Sequence, residues 1–452
     1  MRTSPYGEIR KAVWGGVNMK GYATYKESGI PWVGKIPSSW KVIPNKKVMS
    51  KKKDICERWN GEDVMSLTMN GVIVRDLVNP SGKMPATFDG YQFLEAGDLL
   101  MCLFDIDVTP RCIGRVNQNG VTSPAYSRFK LNPNYDVDYY YYYYLMMDYS
   151  KELLHLAKNI RHSFTEEQLG ALKVPCPPYE EQRAISKFLD KHCVEIDTII
   201  EMVKNSIEEY KKWKASIISE VVMKGLDKNK KMKKCDLEWM EEIPYDWNTN
   251  RLKLLFAFGK GLPITKADLV ESGIPVISYG QIHAKINPGT RIVDDLIRFV
   301  PEKYIKSNPE SLVSKGDILI ADTSEDIEGC GNAVYIDQEC QLFAGYHTII
   351  LKAIETNDNR YLAYLFKTDA WRSQIRQRVS GVKLFSVSKK ILNFATVILP
   401  TVEEQEKIVE VLDSKCKEID SIIREKENLI KDLESYKRSL IYETITGKRK
   451  VI

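Results

Sequence analysis

EEQRAISKFLDKHCVEIDTIIEMVKNSIEEYKKWKASIISE, Glu180–Glu220, and EEQEKIVEVLDSKCKEIDSIIREKENLIKDLESYKRSLIYE, Glu403–Glu443, are two versions of one segment. Aligned without gaps at an offset of 403 − 180 = 223, they agree at 18 of 41 positions. Average composition would give about two or three. The identities include Leu189/Leu412, Cys193/Cys416, Ile196-Asp197/Ile419-Asp420 and Ile199-Ile200/Ile422-Ile423. A duplication of this length divides the chain into two related halves.

Each copy has the period of a long helix. With Gln182 at position a, the a series runs Gln182, Leu189, Ile196, Val203, Tyr210, Ile217, and the d series Ile185, His192, Ile199, Ser206, Trp213, Glu220. Ile200, Ile207 and Val221 widen the stripe at e. In the second copy Gln405, Leu412, Ile419, Leu433 and Leu440 take a, and Ile408, Ile422, Leu429 and Tyr436 take d, with Lys415 and Lys426 interrupting. Heptads sustained this far predict a coiled coil, and two such helices in one chain pair most simply with each other, antiparallel. Gln182, Ile185, Leu189, Ile196, Ile199, Val203, Trp213, Gln405, Ile408, Leu412, Ile419, Ile422, Leu429 and Tyr436 are the candidates for helix pairing or partner docking. Pro177-Pro178 and Pro400 mark the helix starts, and Gly225 and Gly447 lie near the ends.

The repeat extends outward. Trp32-Val33-Gly34-Lys35-Ile36-Pro37-Ser38-Ser39-Trp40 returns as Trp239-Met240-Glu241-Glu242-Ile243-Pro244-Tyr245-Asp246-Trp247, at an offset of 239 − 32 = 207. Gly97-Asp98-Leu99-Leu100 answers Gly316-Asp317-Ile318-Leu319. The offset grows by 223 − 207 = 16, so the second half carries 16 extra residues between its anchors. Between the helices lie two bodies, about 40–170 and 250–395, which alternate short strand-like runs with Gly, Pro and Asn turns. Each ends in a more helical stretch. Tyr139–Tyr144 aligns there with Tyr361-Leu362-Ala363-Tyr364-Leu365-Phe366; because half of that counterpart is aliphatic, core packing is expected rather than base stacking. Leu226–Lys234, rich in lysine, reads as a solvated basic linker.

Composition narrows the class. The chain has 452 residues, 43% hydrophobic and 28% charged, as in ordinary globular proteins of two or three domains. Its 66 Lys+Arg against 61 Asp+Glu leave +5, which permits a polyanionic partner without demanding one. No apolar run approaches the ~20 residues that span a membrane, and Met1-Arg2-Thr3-Ser4 leads into no signal-like apolar stretch. Nine scattered cysteines without a C-x-x-C pair suit a reduced, cytoplasmic chain.

Catalytic motifs are missing. There is no phosphate-binding G-x-x-x-x-G-K-[ST] loop and no H-E-x-x-H, and His155, His162, His192, His283 and His347 have no metal-ligand spacing. Asn132-Pro133-Asn134-Tyr135 is similar to the Asn-Pro-Pro-Tyr/Phe motif of adenine methyltransferases, but Asn134 stands where the second proline belongs, so a strand-to-helix turn is expected. No cofactor and no metal are expected on this chain.

Together these elements resemble the specificity subunits of type I restriction–modification systems. The resemblance rests on Tyr25-Lys26-Glu27-Ser28-Gly29-Ile30-Pro31-Trp32-Val33-Gly34 with Ile36-Pro37 and Trp40, on the Gly-Asp pairs, and on the Pro-x-x-Glu-Glu-Gln helix starts. It covers the chain from about Tyr22; Glu241 departs from it where the first copy has Gly34, and residues 1–18 match nothing, so that Met19 is a candidate start. It implies an α+β fold: two mixed target-recognition domains separated by two long antiparallel coiled-coil helices with pseudo-two-fold duplication. The expected segments are an N-terminal extension (1–21), a first recognition domain (22–176), a central helix (177–226), a linker (227–238), a second recognition domain (239–399) and a C-terminal helix (400–452).

It further implies that each domain reads half of a bipartite, asymmetric double-stranded DNA site. The helices would dock two modification subunits, which bring S-adenosylmethionine and the adenine methyltransferase centre, and motor–nuclease subunits would complete the assembly. Residues 50–130 and 260–345 align poorly with each other, consistent with unlike half-sites. Phosphates call for Lys or Arg, and base edges for Arg, Lys, Asn, Gln, Ser or Thr. Candidates in the first body are Lys51, Ser66, Thr68, Arg75, Arg111, Arg115, Arg161 and Ser163; in the second they are Lys260, Ser278, Tyr279, Gln281, His283, Arg291 and Lys383. A solvated surface role competes at each. Two rival readings stay open: a scaffold that binds only proteins, and the recognition part of a fused restriction–methylation enzyme.

Overall fold

The computed structural model describes residues 21–451 other than 81, 83, 158–161, 286, 288, 289 and 340. The chain forms two compact units. One takes in the chain up to Val203 and returns for Glu427–Ile452; the other is Lys204–Lys426. Each unit therefore holds half of each long helix, Tyr179–Lys224 and Val402–Ile445.

In the first unit a four-stranded sheet runs in the order Ile113–Arg115, Leu99–Met101, Ser127–Leu131, Met49–Lys52. A five-stranded sheet has the order Ile55–Cys56, Tyr91–Leu94, Gly120–Thr122, Val64–Thr68, Gly71–Val74. The second unit repeats the first of these sheets as Ala333–Tyr335, Ile318–Ala321, Thr348–Ala353, Phe256–Lys260. Its other four-stranded sheet places Leu342–Ala344 parallel to Ile274–Ile277, as Gly120–Thr122 is parallel to Val64–Thr68. The duplication thus reaches strand order and pairing sense.

Local chemistry sets the helices between. Val137–Tyr149 is capped by the Asp136 carboxylate, which accepts the Tyr139 N–H, and Asn359–Leu365 is capped in the same way by Asp358. Asn132 makes the expected turn between strand Ser127–Leu131 and this helix: its carbonyl accepts from the Tyr135 N–H and its side chain from the Asn134 N–H. Tyr139, Tyr140, Tyr142, Tyr143 and Tyr144 are all buried, in one core with Leu189, Ile196, Leu433 and Leu440 of the long helices. The tyrosine run is packing, as its half-aliphatic counterpart suggests. The second core joins Tyr361, Leu365 and Phe366 to Ile218, Val222, Ile408 and Leu412.

The buried stripe of the long helices lies slightly aside from the a/d series. Gln182, Ser186, Leu189, Cys193, Ile196, Ile200, Ile207 and Lys214 are buried, so positions a and e carry it. Trp213 is 51% exposed, while His192 is turned out to Glu195 at 2.9 Å. Ile199, Val203, Ile422, Leu429 and Tyr436 are half-buried at its margin, whereas Ile185, Ile408, Leu412 and Ile419 are buried. A straight helix drifts by about 20° per heptad against a 3.5-residue pattern, enough to move the seam to a neighbouring position. The basic linker is partly folded: Met232–Leu237 pairs with Met240–Pro244, and Lys230 reaches Asp246 and Glu404 at 2.8 Å.

Candidate nucleic-acid interface

Both units anchor their helices with the same bonds. Gln182 Oε1 accepts the Asp136 N–H at 3.0 Å while its Nε2 donates to the Pro177 carbonyl at 2.8 Å. Gln405 does the same with Asp358 at 2.9 Å and Pro400 at 3.0 Å. The Tyr139 hydroxyl donates to the Ile445 carbonyl, and the Tyr361 hydroxyl to that of Val222. Adding 223 to 222 gives 445, so these are one bond made twice. Asp190 receives the Tyr142 hydroxyl at 2.9 Å, and Asp413 that of Tyr364 at 2.5 Å. Burial works against the Asp413 charge, but the Arg360 guanidinium and the Tyr364 hydroxyl hold its carboxyl below the ordinary value. These aspartates and tyrosines were not among the candidates, although Asp190/Asp413 is one of the 18 identities.

The candidate contact residues fall into two groups. Lys51 on the edge strand Met49–Lys52, Lys260 at the end of the edge strand Phe256–Lys260, and Lys383 are exposed. Ser66 and Arg75 are part-exposed by strands Val64–Thr68 and Gly71–Val74, and the Thr68 hydroxyl donates to the Gly71 carbonyl in the turn between them. Ser163 is part-exposed. Three arginines pair within the fold, Arg291 with its side chain 48% exposed. Arg111 donates to the carbonyls of Ile113 and Met69 and to the Tyr141 hydroxyl. Arg115 binds Asp138 at 2.5 Å and Asp190 at 3.3 Å, and Arg291 binds Asp337 at 3.0 Å and Asp413 at 3.5 Å. Arg161 lies outside the described residues, as do residues 1–18 and Met19.

In the second unit the fold gathers several candidates at one corner. Ala321 pairs with Thr348, so the residues just after Ala321 meet those just before Thr348. The His347 carbonyl accepts the Asp322 N–H at 3.1 Å, and the Asp322 carbonyl accepts the Val387 N–H at 2.7 Å. The hairpin carrying Lys383 is tied there too, since Thr323-Ser324 pairs with Phe385-Ser386. Ser278 stands at the start of a short turn of helix, and its own N–H donates to Gln281 Oε1. Gly345 packs so tightly that a Cβ would sit 2.3 Å from Ser278 Oγ. Tyr279 donates its N–H to the Tyr346 carbonyl, and its ring lies 5.9 Å from Tyr346 and 5.4 Å from His347.

The two histidines here differ in what they leave free. A carbonyl only accepts, so His283 donates Nε2–H to Thr323 O at 2.9 Å, and its Nδ1 takes an N–H of Asn332 at 2.9 Å. Both ring nitrogens are engaged. His347 has left-handed backbone, φ 53°, and holds Asp322 through Nδ1 at 2.8 Å. Its Nε2 has no hydrogen-bond partner among the described residues.

Among the described residues no helix is long and apolar enough to cross a membrane, and no cluster of His, Cys, Asp and Glu could hold a metal ion. Residues 44–209 and 210–432 each match the family described as the type I restriction modification DNA specificity domain. The type I restriction enzyme MjaVIII specificity subunit of Methanocaldococcus jannaschii is 26% identical over 283 residues, 62% of this chain and 63% of that protein. The StySPI specificity subunit of Salmonella potsdam is 20% identical over 210 residues, 46% of this chain and 44% of its own length. The chain thus spans less than two thirds of these relatives. A solved chain from work on complex assembly and conformational transition of the type I R-M system shares the fold, with a TM-score of 0.66 at 14% identity over 91% of this chain and 98% of that one. Two matches in tandem cover most of the sequence, and the chain belongs to the type I restriction modification DNA specificity domain family.

Proposed function

We propose that this chain is the non-catalytic DNA-recognition subunit of a cytoplasmic type I restriction–modification complex. Each unit reads one half of a bipartite, asymmetric double-stranded site, and the long helices dock two modification subunits. S-adenosylmethionine and the methyltransferase centre belong to those subunits, and motor–nuclease subunits complete the restriction enzyme.

The observation that carries this reading is a repeated frame bearing unlike tips. Gln182/Gln405, Tyr139/Tyr361 and Asp190/Asp413 make the same bonds in both units. Strand Gly120–Thr122 matches Leu342–Ala344, so Ala125, three residues beyond the first, stands where His347 stands in the second. A common frame suits a partner met twice; different tips suit two different sequences. Exposed Lys51, Lys260 and Lys383 are suited to phosphate contacts.

The test is a titration of the assembled complex against DNA at several salt concentrations, followed by mapping of the methylated bases. Binding that weakens steeply with salt, with modification at a two-part site, is expected. No DNA binding by the complex at low salt would leave the protein-only scaffold as the better reading.

A further inference from the structure

We infer that His347, held by Asp322, is a specificity-determining residue of the second unit and reads the amino group of an adenine or cytosine in its half-site. The inference rests on the DNA-recognition reading above and names a residue that carries it.

Chemistry fixes the ring. A carboxylate only accepts, so the contact at 2.8 Å between Asp322 Oδ1 and His347 Nδ1 requires the proton on Nδ1. The Thr323 hydroxyl donates to the same carboxylate oxygen at 2.7 Å and lies 3.2 Å from Nδ1, which steadies the pair. When the ring carries that one proton, Nε2 holds a lone pair. The His347 side chain is 35% exposed, so this acceptor is open to an incoming ligand. In the major groove the donors are the N6 amino group of adenine and the N4 amino group of cytosine. His283, close by and of the same type, has no free nitrogen to offer.

The surroundings make the ring a fixed probe. The Tyr346 ring lies 4.0 Å from it, tilted by 59°, and Tyr279 meets it edge-on at 5.4 Å. Tyr346 is itself 42% exposed, an aromatic face beside a polar acceptor. A left-handed backbone at a non-glycine residue is uncommon, and such outliers concentrate at functional positions. The first unit has no equivalent: Ala125 takes the place of His347, and Leu103, two residues past strand Leu99–Met101, that of Asp322. A residue that discriminates one half-site should differ between the units in just this way.

The test uses the assembled methyltransferase complex carrying His347→Asn, since asparagine tolerates left-handed backbone but is too short to reach as the ring does. Asp322→Asn is the second variant and His283→Asn the control. Methylation is profiled on a DNA library with every base of the site varied, beside the thermal unfolding of each protein. His347→Asn should relax discrimination roughly tenfold at a single A·T or G·C pair of one half-site, with the other half-site and the melting temperature unchanged. Asp322→Asn should relax the same pair less, and His283→Asn should lower the melting temperature without relaxing any position. If the unaltered complex modifies a two-part site and His347→Asn keeps its full selectivity, the inference is overturned and the recognition reading stands. A uniform loss over all sequences with a lower melting temperature would assign His347 to the fold and overturn it as well. A wild-type complex that modifies no two-part site would overturn the recognition reading itself.

Discussion

Lys214 on the first long helix holds both carboxylate oxygens of Asp420 on the second at 2.7 Å. Adding the repeat offset of 223 to Asp197 gives 420, and to Lys214 gives 437; Lys437 indeed holds Asp197, at 2.7 and 2.6 Å. One ion pair between antiparallel helices is therefore made once in each unit. The copies differ in burial: the side chains of Lys214 and Asp420 are 9% and 36% exposed, those of Lys437 and Asp197 17% and 57%. Removing a lysine strands its aspartate, and the better-shielded one suffers more. Lys214→Met should cost ~2 kcal/mol, and Lys437→Met under ~1 kcal/mol because water screens Asp197. Denaturant unfolding checks this, and equal costs would show that burial does not set the strength of the pair.

The anchor glutamines make a sharper prediction. Gln182 and Gln405 are both 1% exposed and each both accepts and donates. Glutamate keeps the shape but cannot donate to the proline carbonyl while ionised. Gln182→Glu and Gln405→Glu should each cost ~2 kcal/mol, the price of an unsatisfied buried group. The acceptor oxygen survives the change, so the amides of Asp136 and Asp358 should keep their protection from hydrogen exchange while stability falls in the respective variants. Unchanged stability in both variants would show that the bonds to the proline carbonyls anchor nothing.

A pH dependence follows from Lys367. Burial, and then the nearby cations of Arg372 and Lys214, hold its ammonium down to about 7 from an ordinary 10.5. In the folded chain this lysine gives up its proton more readily than in the unfolded chain. The unfolded state thus binds more protons between about pH 7 and 10.5, and stability rises with pH across that window. Below about 7 the penalty is fully present. Counting nine residues from the capping aspartates, Asp136 and Asp358, puts Leu145 at the matching position of the first unit. Lys367→Leu should therefore stabilise the protein at pH 6 by on the order of 1–2 kcal/mol, less than the whole shift because the residue is only part-buried, and by almost nothing above pH 10.5. A gain that stays constant across pH would sink this account.

What could be read from the sequence follows the range of the interactions. The long helices, their prolines and the tyrosine run were legible because periodicity, caps and a gap-free repeat are local signals. The buried stripe runs mostly at a and e rather than a and d; the two share the 3.5-residue period, and only what packs against the helix distinguishes them. Trp213 takes a d position in the heptad, yet Lys214 beside it is the buried one. The Asp322–His347 pair was not legible, since its members are 25 residues apart in the chain and meet only through the pairing of Ala321 with Thr348. Chain position alone does not reveal that both nitrogens of His283 are engaged.

The last prediction concerns spacing. The first long helix passes from one unit into the other between Val203 and Lys204, and the second between Lys426 and Glu427. Since 203 + 223 = 426, these are the same point of the repeat. Inserting four residues after Val203 alone would turn everything beyond it by roughly 40° and add ~6 Å of helix. It would also shift one side of the seam against the other, a stutter that locally unwinds the coil. That variant should lose stability and modification together. A matching insertion after Lys426 restores equal lengths and returns Asp197 to Lys437 and Lys214 to Asp420, since each pair lies wholly within one unit. The doubly inserted protein should regain its fold and recognise both half-sites, now with about two more unread base pairs between them at ~3.4 Å each. Methylation mapping of the doubly inserted variant in complex with its modification subunits decides the matter. Full activity on an unchanged spacer would show that the distance between half-sites is set elsewhere than in these helices.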